Sequence, residues 1–328
     1  MTQHGRKSQR RLRGVLIICA VLIGVAAVGV AITLSKRSDP TGPLPVHLPA
    51  TPGSYLGVYA HGVPDSYSGV TAFKSATGAN PAVVMYYSGW YEPFQASFAA
   101  QAARNGEVPI VVMDPARGPN IGISVARIAS GKYDGYLSAY AEAVRAYRYP
   151  VIISFAHEMN GSWYPWGYTH TSPKTFVAAW RHVVTIFRAL GAKNVTWLWT
   201  VNIINDTRRG RIPSPAPWWP GNSYVTWVGI DGYYLKPSWK FAPLFGPTIA
   251  AVRTLTGRPI LIAETGAVPT AGQPAKIADV FAGIRQYGLL GLVWFDTTNS
   301  IQQHFGLGTP AAIAAFRKGA STYKRPGS

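Results

Sequence analysis

"YDGYLSAYAEAVRAYRYPVIISFAHE", residues 133–158, holds the two patterns that set the fold. Its first part has helical period, and its second is a short apolar, β-branched run from Pro150 to a His-Glu pair. The same alternation runs along the chain from about residue 54. Candidate strands are "YLGVYA" (55–60), "AVVMYYSGW" (82–90), "VPIVVMD" (108–114), "PVIISFAHE" (150–158), "NVTWLWTVN" (194–202), "VTWVGIDGYY" (225–234), "PILIAETGA" (259–267) and "LLGLVWFDT" (289–297). Helix candidates such as "FQASFAAQAARNG" and "KTFVAAWRHVVTIFRALG" lie between them. Ser172-Pro173 and Thr309-Pro310 read as N-caps followed by proline at the first helical position. Gly106, Gly191, Gly257 and Gly288 stand where a helix would stop before the next strand. Eight βα units in 275 residues predict an α/β fold, a (β/α)8 TIM barrel. A doubly wound sheet would carry a glycine-rich phosphate turn. The nearest candidate, "GLGTPA" at Gly306, lacks the third glycine and follows the last strand.

The barrel does not begin the chain. Residues 15–34, "VLIICAVLIGVAAVGVAITL", are uncharged over a length that suits one transmembrane helix. Arg6, Lys7, Arg10, Arg11 and Arg13 precede it, and only Lys36 and Arg37 follow closely. That bias predicts an N-terminus inside and the remainder outside. The expected organisation is a cytoplasmic basic segment (1–14), a signal anchor (15–34), a Pro-rich linker (35–53) and the barrel domain (54–328). A cleaved signal peptide with a secreted domain is the competing reading, although its apolar region is usually shorter. The single cysteine, Cys19, lies in the apolar segment, so the exported part is stabilised without disulfides. Past residue 37 there remain 24 basic and 13 acidic residues, a net charge of +11. The basic residues are scattered, with no nucleic-acid-binding motif, and the excess reads as a solvated surface.

A TIM barrel gathers its chemistry where strands end. Polar and aromatic residues close most strands here: Trp90, Asp114, His157-Glu158, Asn202, Asp231 and Tyr233, Glu264, and Trp294 to Asp296. A zincin helix would need a second His four residues after His157, where the chain has Gly161. Neither a G-x-S-x-G elbow nor a P-loop occurs. No metal or cofactor is called for. Of the five glutamates, Glu142 sits in a helix pattern, Glu107 precedes a strand, and Glu92 follows strand 2 without a motif. Glu158 and Glu264 end strands 4 and 7, from which two carboxylates can face each other across the mouth. Sugar hydrolysis with retention uses such a pair about 5–5.5 Å apart. Among the eleven tryptophans, Trp90, Trp163, Trp166 and Trp294 lie near strand ends and are candidate sugar platforms. Trp180, Trp197 and Trp227 sit in helix or strand patterns and read as core.

The stretches "HEMNGSWYPWG", "WWPGNSYVTWVGIDGYY", "PILIAETGA" and "GLVWFD" resemble glycoside hydrolase family 26, whose best-known members are β-mannanases. The resemblance runs from strand 1 to strand 8. It implies Glu158 as acid/base, Glu264 as nucleophile, His157 as a sugar contact, Trp163 as a stacking platform, and Tyr233 beside the nucleophile. Trp294 matches the family's strand-8 tryptophan. Trp90 and Asn202 complete the expected substrate-binding set. The implied activity is retaining endo-β-glycosidase, on β-1,4-mannan or a related β-glycan. An exopolysaccharide-processing glycosidase or transglycosylase and a non-catalytic glycan-binding domain are the alternatives. The partners expected are a polysaccharide and, through the N-terminal segment, a membrane, with no nucleic acid. The chain departs from the family in its compact domain and in Asn222 and Thr226, where aspartates are frequent.

Overall fold

The computed structural model describes residues 48–118, 121–207, 210–297 and 304–325. Eight strands form the centre: β1 (Tyr55–Ala60), β2 (Val83–Ser88), β3 (Val108–Met113), β4 (Val151–Phe155), β5 (Val195–Asn202), β6 (Trp227–Asp231), β7 (Ile260–Thr265) and β8 (Gly291–Asp296). They close in the order β1-β8-β7-β6-β5-β4-β3-β2, every neighbour parallel. The helices are α1 (Ser68–Thr77), α2 (Ala96–Arg104), α3 (Val125–Ala129), α4 (Asp134–Tyr147), α5 (Pro173–Ala189), α6 (Phe241–Leu255), α7 (Gln273–Gln286) and α8 (Pro310–Ala320). The expected barrel is therefore present, with one departure. Among the described residues the β5–β6 connection carries no α-helix, only a two-stranded antiparallel ribbon, Asp206–Thr207 with Gly210–Arg211, and a one-turn 3₁₀ helix, Ala216–Trp218.

Local signals explain the helix ends. The Ser172 and Thr309 side chains accept from the backbone N–H of Thr175 and Ala312, capping α5 and α8 as their sequences predict. Gly191 and Gly288 turn the chain with positive φ after α5 and α7. Gly257 does not do this work, because α6 ends on Thr256 in extended conformation.

The strands are apolar on both faces because each face is covered. Val83, Met85, Ile110, Val112, Ile152, Leu198, Leu261 and Val293 fill the barrel interior. Val84, Val111, Ile153, Trp199, Val228, Ile262 and Trp294 pack in the outer layer beneath the helices. Each such aliphatic side chain removed from water contributes about 1.5–3 kcal/mol. The transmembrane segment expected at 15–34 lies outside the described residues. Among those described, no helix is long and apolar enough to cross a membrane.

Candidate active site

Two backbone irregularities aim the carboxylates. In a regular strand, consecutive residues point to opposite faces. Strand β4 ends at Phe155, and Ala156 and Glu158 then adopt φ of 48° and 53°. Non-glycine residues rarely take the left-handed region, and each such residue costs on the order of 1–3 kcal/mol. The kink brings the neighbours His157 and Glu158 into one site, held by the Ala156 N–H on Met113 O (3.0 Å) and the Glu158 N–H on Thr200 O (3.0 Å). In β7, Leu261 and Ala263 belong to the barrel interior, so the next residue should face the helices. The register shifts against both β6 and β8 between Ile262 and Thr265, and this bulge turns Glu264 into the mouth.

Glu264 accepts hydrogen bonds from both sides, from Tyr87 Oη to Oε1 (2.5 Å) and from Tyr233 Oη to Oε2 (2.5 Å). Glu158 accepts from Trp163 Nε1 at Oε2 (2.7 Å) and from the Asn202 amide at Oε1. Asn202 is itself braced by the buried Asn160, whose Oδ1 accepts from the Asn202 N–H (2.9 Å) and whose amide donates to Asn202 O (2.9 Å). His157 sits between Asp114 (Nδ1 to Oδ1, 2.8 Å) and the Tyr164 hydroxyl (Nε2 to Oη, 3.0 Å). Tyr164 stacks on Trp166 at 4.4 Å, and the Trp166 indole donates to His157 O (2.7 Å).

The electrostatics separate the two glutamates. Burial drives the Glu158 carboxyl up, His157 pulls it down, and Glu264 pushes it up again. The Asn202 and Trp163 hydrogen bonds lower it, and the outcome is about 7. For His157, burial opposes the charge, but Asp114, Glu264 and Glu158 raise it to about 9. The imidazolium then donates from both nitrogens. Asp231 is fully buried beside Glu264, with no hydrogen-bond partner for either oxygen among the described residues. Burial, then Glu264 and Glu158, hold its carboxyl well above the usual range, against a lowering backbone hydrogen bond at Glu264. His157, Asp231 and Glu264 bring ligand atoms within 4.8 Å of one another. The His157 nitrogens and Glu264 oxygens of that cluster are already hydrogen-bonded, so the group reads as a proton-holding network.

Of the residues expected from sequence, Glu158, Glu264, His157, Trp163, Tyr233 and Asn202 come together at the mouth. Two do not. Trp294 is fully buried, 5.6 Å from Phe316 of α8, and its indole donates to Phe305 O (3.2 Å). Strand parity sends Val293 and Phe295 inward and Trp294 outward. Trp90 is 2% exposed and packs among Tyr133, Tyr136 and Phe155, against α4. Trp166, also expected as a platform, is covered by Tyr164. Tyr87, Asp114, Tyr164 and Asn160 are functional neighbours that motif reading did not single out. Tyr59 and Phe295 extend the aromatic wall, 5.1 Å from Tyr87 and 5.8 Å from Tyr233 respectively.

Trp163 and Trp294 should therefore fail differently when truncated. Trp163→Ala is expected to lower kcat/KM on polymer by a few-fold to tenfold with the fold intact. Trp163→Phe, which keeps a ring but not the N–H, should move the alkaline limb of the pH profile upward. Trp294→Ala should instead cost about 3–5 kcal/mol of stability and leave KM unchanged in the surviving folded protein. Thermal melts beside steady-state kinetics check both, and the reverse pattern would exchange their roles.

The closed parallel barrel thus carries two carboxylates braced at its C-terminal mouth, beside half-buried aromatic rings. Residues 127–267, which carry both glutamates, match the profile of glycosyl hydrolase family 26. Endoglucanase H of Acetivibrio thermocellus is 30% identical over 282 residues, covering 81% of this chain and 30% of the relative. A β-1,3-xylanase, TXYA, from a Vibrio species is 29% identical over 175 residues, covering 51% and 36%. The chain thus spans about a third of the length of these relatives. The β-mannanase BoMan26A of Bacteroides ovatus shares the fold, with a TM-score of 0.63 at 18% identity over 84% of this chain and 91% of that one.

Proposed function

We propose that the protein is a retaining endo-β-glycosidase acting on a β-linked polysaccharide, with β-1,4-mannan the first candidate. One observation carries it: two glutamates share one mouth in opposite settings. Glu264 is clamped by two tyrosine hydroxyls, while Glu158 keeps its proton up to about pH 7. Glu264 attacks the anomeric carbon as Glu158 protonates the departing oxygen, giving a glycosyl ester on Glu264. Glu158, now a carboxylate, takes a proton from water, which displaces Glu264 and returns a product of retained configuration. Esterifying Glu264 removes its push on the Glu158 carboxyl, which suits Glu158 to its change of role. Asn202 and Trp163 position Glu158, and Tyr87 and Tyr233 position Glu264. The half-buried Tyr59, Tyr87, Trp163 and Tyr233 form the wall against which a sugar ring would lie. The names of the relatives differ in backbone sugar, so they support a polysaccharide hydrolase without choosing the sugar. Purified protein should release reducing oligosaccharides from at least one of β-mannan, mixed-linkage β-glucan and xylan. Binding without turnover across the panel would favour the glycan-binding alternative.

We infer further that residues 15–34 anchor the protein, with the barrel outside the cell. The uncharged twenty-residue run and the five basic residues before it support this. Full-length protein is expected in the membrane fraction. A mature N-terminus beyond residue 31 in the medium would support the cleaved alternative.

A further inference from the structure

The net positive charge of the domain is not spread evenly. In a parallel barrel every returning helix ends on the face where strands begin. Each of the seven helices longer than α3 carries a basic residue in its last turn. Arg104, Arg145, Arg188, Arg253, Arg285 and Lys318 are all exposed, and none meets a carboxylate among the described residues. Arg145 and Arg253 donate to Leu190 O and Arg258 O, which are neutral and leave the charge in place. On the same face Glu107 is buried under Lys74 at 2.7 Å, and the exposed Glu142 lies farther up α4. The other end holds Lys174, Lys236, Lys240 and Lys276 at or before helix starts, offset there by the carboxylates Asp114, Glu158, Asp231, Glu264 and Asp296.

Helix-dipole complementation is the plain explanation for basic helix ends. It also favours acids in first turns, and of these helices only α4 has one, Asp134. On the face where the helices end few acids offset these residues, so it is a surface of one sign. Two further observations say what the surface meets. Tyr149, 42% exposed beside Arg148 in the α4–β4 turn, is an aromatic side chain of the kind that settles at lipid interfaces. The described chain also enters on this face: Leu48 packs on the barrel interior, and Gly53 and Ser54 bond to Leu289 and Leu290 at the start of β8. Residues 35–47 separate it from the apolar run and reach at most roughly 45 Å.

We propose that this basic face docks on anionic lipid headgroups of the membrane that anchors the chain, turning the catalytic mouth away from the bilayer. This extends the anchored reading but stands on the charge distribution of the barrel. Each basic residue at an anionic surface is worth about fivefold in binding, so a face of this size discriminates strongly between lipids.

The test uses the full chain in nanodiscs of phosphatidylcholine alone or with phosphatidylglycerol, read by amide hydrogen exchange. Amides at the C-terminal ends of α4, α5 and α6 should exchange about fivefold or more slowly in the anionic discs. Half-molar salt should abolish the protection, as should Arg145→Glu, Arg188→Glu and Arg253→Glu combined, while lysine at the same positions keeps it. Equal exchange in both discs overturns the proposal with the anchor intact. Protection by soluble polyphosphate in neutral discs, without protection by phosphatidylglycerol, assigns the face to a soluble polyanion and also overturns it. If the chain does not enter neutral discs, the anchor fails instead. Salt-sensitive flotation of the free chain with phosphatidylglycerol vesicles alone would then uphold the basic face, and flotation with neither vesicle would overturn it.

Discussion

Glu264→Gln is expected to be inert even toward aryl β-glycosides whose leaving group needs no protonation. Its kcat/KM should fall by about a thousandfold or more. An amide cannot form the glycosyl ester that the Glu264 carboxylate forms. Glu158 is committed to Asn202 and Trp163, and burial holds the Asp231 carboxyl well above its usual range. Glutamine has the shape of glutamate and can still exchange hydrogen bonds with Tyr87 and Tyr233, so the fold should survive. Rapid-mix assays and a thermal melt check this together. Azide rescue of Glu264→Gln without rescue at Glu158 would exchange the two roles.

Glu158→Ala should fail in a different manner. With natural polymer, loss of the general acid should cost about a hundredfold to ten-thousandfold. With an activated aryl glycoside the first step needs no proton, so leaving group should appear in a burst as glycosyl-enzyme accumulates. Azide needs no base and should restore turnover, yielding a glycosyl azide of retained configuration. The pH profile adds a separate signature. Glu158 must be protonated to act, and its carboxyl sits at about 7, so wild-type kcat/KM should fall on the alkaline side of neutrality. That limb should be absent from Glu158→Ala. Stability should move in the opposite sense in Glu158→Gln. A carboxyl raised on folding holds its proton more tightly in the folded state, so its contribution is full at low pH and is lost as pH rises through about 7. The uncharged variant should therefore melt above wild type at pH 8, with the gap narrowing toward pH 5. Inverted product from the wild type would remove the ester intermediate altogether.

The barrel was legible because its signals are local. Apolar, β-branched runs alternate with helical period, and Ser172 and Thr309 mark helix starts without reference to anything distant. Glu158 and Glu264 stood out because each closes an otherwise uncharged strand, where a barrel places its chemistry. Asn202 was legible as a strand end, but its task of holding Glu158 depends on Asn160, from another strand's loop. Asp114 was likewise legible only as a strand end, and Tyr164 not at all, since the two meet across His157 from positions 50 residues apart.

What the sequence determined by itself, then, is the order of elements and which strand ends carry carboxylates, because those follow from period, caps and composition. Which side of a strand each residue faces was left to the tertiary structure. In β2 and β8 both faces are apolar, so alternation says nothing about which of Tyr86 and Tyr87, or of Trp294 and Phe295, looks inward. Closure of the barrel chose Tyr87 for Glu264 and sent Trp294 to α8. The left-handed turn at Ala156 and Glu158 and the bulge in β7 likewise aim the two glutamates, and both exist only because neighbouring strands hold them there. Closure also gathered basic residues scattered along the sequence onto one face, since parallel strands send every returning helix to the same end.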